Sequence, residues 1–362
     1  MPRPGQNSGQ PSLGDAPPSG WGWAEYLAAL VAESGTLSAI AWKLFEAGDG
    51  SDDVASVERA LRRLRERGQR DGGIWGQRLL RRFGVPRRIE DRLRWMGLYH
   101  SPFNDLPLAL CDDQLRLWDQ PPIAASRARV WLVLAAASVA LRRREFAQAQ
   151  AKLDEAARIL GQPDSDAMAR ADARIEAALA RAYLQSRTAS QDHVDASLAV
   201  AERELDQATL AAEDRACFVA RLCDQRAFAL NRRGEYRAAL QLFQALPAAD
   251  VHPFASYRRD AGLAYGHLRL RQPDEARRHA QRASDHAGDG GYTRLRVMSL
   301  ILLARVQADL DRDRAAASAT LHRAQAIAQR LGDEELALRV ARAAPAPGPA
   351  APQKNSHDSA ES

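Results

Sequence analysis

The chain has 362 residues, of which 46% are hydrophobic and only 6% aromatic, and its formal net charge is +5. It contains no run of 18 apolar residues, which argues against a membrane span, and its first 20 residues lack the apolar stretch of a secretion signal. Three scattered cysteines without a CxxC motif are typical of small core residues in a reducing compartment. We therefore expect a cytoplasmic, alanine-rich helical protein of two domains.

The N-terminal third predicts a small helical domain, called the head below. Residues 1–20 are rich in Gly, Pro, Ser and Gln, and we expect them to be disordered. Between 21 and 120, short apolar-periodic segments alternate with turns that contain glycine or proline. Thr36 and either Asp52 or Asp53 are suited to cap the second and third helices. The predicted helices span 23–33, 37–47, 54–67, 75–83, 88–99 and 108–118.

The head carries most of the positive charge. Val54–Arg94 contains 13 arginines and five acidic residues, a net charge of +8, whereas the rest of the chain sums to −3. The second and third helices are similar to a helix-turn-helix, whose second helix enters the major groove of DNA. In that hypothesis the contacts to phosphates or guanine edges come from Arg59, Arg62, Arg63 and Arg67. Alternatively this face is only solvated, because the turn GDGSDD is long and its acidic residues repel phosphate.

Pro121-Pro122 breaks the chain and predicts the boundary between the head and a second domain, 121–342. Within that domain the segment Asn231–Pro247 reads as a helix end, a turn at Gly234 and a new helix. The small residues Ala227 and Ala239 suit a close crossing of these two helices. A single helix pair cannot bury its own apolar face, so further copies are expected beside it.

Four other segments have a comparable pattern, and the alanines of their second helices, together with Ala239, step by 47, 43, 37 and 41 residues. The pattern resembles the tetratricopeptide repeat, whose standard unit of 34 residues is shorter. The resemblance covers about 215 residues of the chain. It implies an all-α fold, a right-handed α-solenoid of about five helix pairs behind the head. The alanines of the series are Ala149, Ala196, Ala239, Ala276 and Ala317.

The same resemblance implies a binding groove lined by the first helix of each pair. A groove that combines arginines with aromatic rings suits an acidic, partly apolar protein segment. The Lys and Asn pair with which some members of this family bind a terminal carboxylate is absent, so chaperone-tail binding is not expected. Alternatively, some of these residues pack against the head. The implied groove residues are Trp131, Arg142, Phe228, Asn231, Arg232, Arg258, Tyr265 and Arg269.

The sequence contains no recognisable catalytic motif. It has no GxxxxGK[ST] loop, no HExxH and no GxSxG, and we predict neither a cofactor nor a metal site. His279 and His286 share one helix face, which we interpret as solvated rather than as ligands. An enzyme hypothesis rests only on polar and aromatic residues of the head, which we interpret as packing: Trp75, Trp95, Tyr99, His100, Asn104 and Asp105.

The favoured hypothesis is therefore a non-catalytic adaptor that binds a protein or an acidic peptide. The alternative is a transcription regulator in which the head binds DNA and the repeats sense a ligand. Residues 343–362 are rich in Pro, Ala and polar residues, and we expect a disordered tail. The sequence decides neither the identity of the partner nor the oligomeric state.

Overall fold

The computed structural model describes residues 21–48, 53–66, 71–162, 170–247 and 251–344. The predictions for 1–20, for most of 343–362 and for Arg67 lie outside these residues. The described residues form seventeen α-helices and two short 3-10 helices, at Pro102–Asp105 and Ile123–Ala125, with no strand among them. The all-α prediction is confirmed. The α-helices are α1 (Trp23–Ser34), α2 (Leu37–Glu46), α3 (Val54–Glu66), α4 (Gly73–Phe83), α5 (Arg87–Gly97), α6 (Leu108–Trp118), α7 (Arg129–Arg142), α8 (Phe146–Leu160), α9 (Ala171–Thr188), α10 (Gln191–Gln207), α11 (Ala212–Arg232), α12 (Tyr236–Gln244), α13 (Pro253–Arg269), α14 (Pro273–Asp289), α15 (Thr293–Asp309), α16 (Arg314–Leu331) and α17 (Glu334–Ala343).

The six helices predicted in the head are present, with ends within about two residues of the predicted positions. The predicted caps are also present. Thr36 Oγ1 accepts the N–H of Ala39 at 3.1 Å, and Asp53 Oδ1 accepts the N–H of Ser56 at 2.7 Å. The apolar faces of α1 to α4 meet in one core cluster, whose fully buried members include Trp23, Tyr26, Leu27, Ile40, Leu61 and Leu79.

Five segments of the chain repeat one spacing of two buried residues, 12 or 13 positions apart across a turn. Nine of these ten residues are alanine and one is valine, and each is at most 4% exposed. Ala196, which we placed in this series, is exposed, so that assignment is wrong by two residues; Val194 takes the position because it faces inward on α10. The pairs are Ala137 and Ala149, Ala182 and Val194, Ala227 and Ala239, Ala264 and Ala276, and Ala304 and Ala317.

The turns α7–α8, α11–α12, α13–α14 and α15–α16 each contain one left-handed residue. In the α11–α12 turn, the N–H of Glu235 donates to the carbonyl of Leu230, five residues earlier, at 3.0 Å. This bond is typical of a Schellman turn, which ends a helix with one left-handed residue. The α7–α8 and α13–α14 turns contain the same five-residue bond. The left-handed residues of the four turns are Arg144 (φ 62°), Gly234 (φ 79°), Arg271 (φ 60°) and Arg312 (φ 58°).

The chain divides into two compact units. The first lies within Met1–Leu141, Glu145–Ala189 and Asp206–Ala208, and the second within Arg142–Arg144, Ser190–Leu205 and Thr209–Ser362. The division predicted at Pro121-Pro122 stays a prediction. In the part of the chain that the structure describes, no single helix is long and apolar enough to cross a membrane, and only the pair α1 and α2, bent by 86°, meets that criterion together.

Candidate functional site

Trp131, a predicted groove residue, is buried in the first unit and is only 2% exposed. Its backbone passes directly over Gly97 at the end of α5. A Cβ atom on Gly97 would lie 2.7 Å from the Trp131 carbonyl oxygen and 2.9 Å from its Cα. The guanidinium of Arg94 lies 6.0 Å from the ring centroid. Trp131 is therefore a packing residue in this structure and does not offer its ring to a partner.

Arg142, a second predicted groove residue, is buried in the second unit. Its Nε donates to Asp333 Oδ2 at 3.0 Å, and Arg294 Nε donates to the same oxygen at 2.7 Å. The other oxygen of Asp333 accepts the N–H of Leu336 at 2.9 Å and so caps α17. Burial by itself would raise the pKa of Asp333, but the two guanidinium groups and the N–H lower it on balance. The charge of Arg142 is thus compensated by a buried carboxylate inside the second unit.

Arg258 is also compensated internally. Its Nη1 donates to Asp224 Oδ2 at 2.8 Å, and its side chain is 17% exposed. The guanidinium also lies 5.2 Å from the centroid of the Phe254 ring. Such a pair leaves little of the arginine for a partner molecule.

The remaining groove residues lie on α11 and α13, two helices of the second unit that contact each other. Phe228 is 42% exposed, and Arg232 follows one turn later and is exposed as well. On α13, Arg269 is exposed, and its Nη2 donates to the hydroxyl of Tyr236 at 2.5 Å while its guanidinium lies 4.5 Å from that ring's centroid. Tyr265, one turn before Arg269, is half-buried. With Tyr236 of α12, these residues form what we call the Arg232–Arg269 surface: Phe228, Arg232, Tyr236, Tyr265 and Arg269.

The two arginines of this surface differ from Arg142 and Arg258 in their pairing. Neither Arg232 nor Arg269 forms an ion pair with a carboxylate among the residues that the structure describes. The half-buried Asn231 beside them has a side-chain oxygen, Oδ1, for which the described residues supply no hydrogen-bond donor. The positive charge of Arg232 and Arg269 is therefore available at the surface.

A shallow depression adjoins the Arg232–Arg269 surface. It is lined by the turn and first residues of α12, Gly234–Ala238, and by Leu270. Its one acidic residue, Glu235, accepts from Arg233 Nε at 2.6 Å, whereas Arg237 is exposed. Tyr236 and Arg237 were missed in the sequence, because the repeat pattern assigns the start of a second helix to packing rather than to binding.

In the head, α3 presents a basic face. Arg59, Arg62 and Arg63 are exposed, and the opposite face of the helix is buried in the core cluster. Arg59 donates to Ser56 Oγ at 2.9 Å, and Arg62 forms an exposed pair with Glu58 at 2.6 Å. Exposed contacts of this kind are weak, so the guanidinium groups remain able to bind another molecule.

The polar and aromatic residues of the head that suggested an enzyme are mostly packed within the first unit. Trp95 meets Phe103 edge-to-face at 5.7 Å between centroids. Asn104 donates to the carbonyl of Leu98 at 3.0 Å and accepts from Ser138 Oγ at 2.5 Å. These contacts agree with the packing interpretation. Burial also raises the pKa of the thiols of Cys217 and Cys223 in the second unit to about 12, so neither is a thiolate at neutral pH.

His279 is buried, so its interpretation as part of a solvated face is wrong. Its side chain points from α14 to α13, where Nδ1 lies 2.5 Å from Asp260 Oδ1. His286, two turns later, has its Nε2 3.3 Å from the other oxygen of Asp260. The two histidines do share a face, as predicted, but this face carries the alanines that pack on α13 and is therefore turned inward.

No protein-family model matches this chain, and no curated protein matches it. The tetratricopeptide resemblance therefore rests on the residues of this chain alone.

Proposed function

We propose that this chain is a helical-repeat adaptor whose second unit binds an acidic, partly apolar protein segment at the Arg232–Arg269 surface. Two observations support a solenoid of helix pairs: the same spacing of buried small residues occurs in five segments, and four of the turns contain a left-handed residue. Consecutive units of such an array repeat the same outward positions. Phe228 and Tyr265, and Arg232 and Arg269, are such equivalent positions, 37 residues apart.

The observation that carries this proposal is that two of the groove arginines are paired with carboxylates and two are not. Arg142 and Arg258 are neutralised by Asp333 and Asp224, whereas Arg232 and Arg269 are exposed without a carboxylate partner in the described part of the second unit. Guanidinium groups bind carboxylates in a two-bond, planar geometry that is stronger than a neutral hydrogen bond. Arginine with exposed aromatic rings is also the composition of interface hot spots.

The first prediction concerns charge reversal on this surface. The double variant Arg232→Glu, Arg269→Glu should weaken binding of acidic peptides that contain Leu or Phe at least tenfold. Two charge-assisted hydrogen bonds would be lost, each contributing about 1.5–3 kcal/mol, and a tenfold change requires only about 1.4 kcal/mol. The measurement is fluorescence anisotropy of a labelled pool of such peptides titrated with the full-length protein.

A matched control is the variant Arg282→Glu, Arg330→Glu, which makes the same change in net charge at exposed positions of α14 and α16. This control should bind the pool within about twofold of the unmodified chain, a difference well under 1 kcal/mol. Equal losses of affinity in the two variants would show that the effect comes from net charge and not from this surface. Absence of any binding by the unmodified protein would refute the proposal.

The exposed basic face of α3 favours a second candidate function, binding of DNA by the head. The N-terminus of α3 already holds the carboxylate of Asp53, so phosphates would meet the side of the helix rather than its tip. Contacts through Arg59, Arg62 and Arg63 would then be made mainly to the backbone of the duplex, with little dependence on base sequence.

Three phosphate contacts predict a steep salt dependence for the full-length protein on random duplex DNA. The logarithm of the binding constant should fall against the logarithm of salt concentration with a slope of about −2.7. Replacing all three arginines by Gln should abolish most of this salt dependence. A gel-shift series across salt concentrations measures this slope. The control replaces Arg282, Arg323 and Arg330 by Gln, and no retardation at low salt would exclude the function.

A further inference from the structure

Three side chains with metal-binding atoms meet at the turn between α13 and α14. His267 lies in the last turn of α13, Glu275 in the first turn of α14, and His279 one helical turn after Glu275. One ligand atom from each of the three lies within 4.8 Å of the other two. The two imidazole rings are parallel to within 4°, with centroids 5.6 Å apart. The Schellman turn, with Arg271 in its left-handed position, brings the two helix ends together.

Hydrogen bonds at the Nδ1 atoms orient both imidazoles. A carboxylate only accepts, so the 2.5 Å contact from His279 Nδ1 to Asp260 Oδ1 places the proton on Nδ1. His267 Nδ1 lies 2.6 Å from the amide oxygen of Gln272 and donates to it in the same way. With Nδ1 as the donor in each ring, Nε2 is the nitrogen that can supply a lone pair to a metal ion. A carboxylate that accepts from the far nitrogen of a histidine is the usual second layer of a protein metal site.

The ligand atoms of His267, Glu275 and His279 lie slightly farther apart than the ligands of a bound zinc ion. His279 Nε2 is 3.7 Å from Glu275 Oε2. In a tetrahedral zinc site with bonds of about 2.0–2.1 Å, neighbouring ligand atoms are roughly 3.3 Å apart. A contraction of at most about 1.5 Å, through side-chain rotation, would therefore complete the coordination. Glu275 is also paired with the exposed Arg278, and this i,i+3 surface pair is weak enough to yield to a divalent ion.

We propose that His267, Glu275 and His279 form a zinc-binding site, with Asp260 as the residue that positions His279. Two imidazole nitrogens and one carboxylate oxygen are a donor set for Zn²⁺, and with three protein ligands the fourth position is open to water or to a further ligand. The bound ion would link the end of α13 to the start of α14. The site is independent of the proposed peptide surface, although Arg269 follows His267 by two residues.

The sequence carries a partial signal for this site. Glu275 and His279 have the i,i+4 spacing that puts two ligands on one helix face. The third ligand precedes the turn by several residues, and the distance between His267 and Glu275 depends on the tight α13–α14 turn. No spacing rule for metal ligands anticipates that geometry, so the sequence left the site unassigned.

The test uses the full-length protein freed of metal by dialysis against a chelator and titrated with ZnCl₂ in competition with a chromophoric chelator. The unmodified chain should bind one equivalent, and His267→Ala and Glu275→Gln should each weaken the affinity at least tenfold. These two positions are chosen because His279→Ala would also remove a hydrogen bond that the buried carboxylate of Asp260 accepts. The exposed His322, on α16, supplies the control variant His322→Ala, which should bind like the unmodified chain.

Two further readouts separate a metal site from a purely structural role. Zinc should raise the thermal unfolding midpoint of the unmodified chain and of His322→Ala, but not that of Glu275→Gln. Co²⁺ should give visible d–d absorption that is lost in His267→Ala. Failure of the unmodified chain to compete for zinc overturns the proposal. Equal zinc affinity in the unmodified chain and both site variants, with far-UV circular dichroism unchanged, also overturns it.

Discussion

Replacing Asp333 by Ala is expected to destabilise the second unit by about 3–5 kcal/mol. The side chain of Asp333 is completely buried, and it receives hydrogen bonds from Arg142, Arg294 and the N–H of Leu336. Its removal leaves two guanidinium groups without their shared partner, and Arg142 is itself only 3% exposed. Urea denaturation of the full-length protein, with hydrogen exchange in α17 as a local probe, measures the loss.

Asp313→Ala is the matched control for this variant. Asp313 caps α16 as Asp333 caps α17, accepting the N–H of Ala316 at 2.9 Å, but it is exposed and forms no ion pair with an arginine among the described residues. Loss of a cap alone costs about 1 kcal/mol. Similar losses in the two variants would show that the buried ion pair contributes no more than a surface cap, contrary to the prediction.

The same carboxylate predicts a pH dependence of stability. Because the pKa of Asp333 in the folded chain lies below its value of about 3.9 in unfolded chains, its contribution is complete above that pH. The contribution is lost as the pH falls through the folded-state pKa. The difference in unfolding free energy between the unmodified chain and Asp333→Ala should therefore be constant near neutrality and shrink below about pH 4. A difference that grows on acidification would contradict this sign.

Gly97→Ala is expected to destabilise the first unit by about 2–3 kcal/mol. The added Cβ would lie 2.7 Å from the carbonyl oxygen and 2.9 Å from the Cα of Trp131. These are backbone atoms, so no side-chain rotation relieves the overlap and α5 must move relative to α7. The loss exceeds the gain in helix propensity of about 1 kcal/mol that alanine normally brings over glycine. Thermal and urea unfolding of the variant measure the net effect.

Gly288→Ala serves as the comparison, because a Cβ there meets no atom within 4 Å and the residue lies exposed near the end of α14. We expect this variant to be neutral or slightly stabilised. If Gly97→Ala is tolerated equally well, α5 and α7 are not held at the close approach that buries Trp131.

Three of the eight predicted groove residues are not accessible to a partner in the structure. Of the eight groove residues, Trp131 and Arg142 are buried and Arg258 is paired, so the proposed surface is narrower than the resemblance implies. It is concentrated on α11, α12 and α13. The proposed zinc site lies at the end of the same α13, which makes this helix the part of the second unit on which both proposals can be tested.

The local features of this protein follow from its sequence. Helix positions follow from apolar spacing and from caps such as Thr36 and Asp53, because a helix is stabilised by groups within a few residues of each other. The buried pairs such as Ala227 and Ala239 were also readable, since only small residues permit two helices to cross closely. At Val194 a larger residue holds the buried position, so a pattern based on small residues points to the exposed Ala196 instead.

Which charges are available at the surface depends on how distant segments of the chain pack together. Arg142 and Asp333 are 191 residues apart in the chain and adjacent in space. Arg232 and Arg269 are predicted groove residues just as Arg142 is, but among the described residues neither has a carboxylate partner. The contact of His279 with Asp260 and the approach of His267 likewise depend on how α13 and α14 pack. Charge pairing and metal coordination require distances of a few ångströms, and for residues on different helices the sequence separation does not give the distance between them.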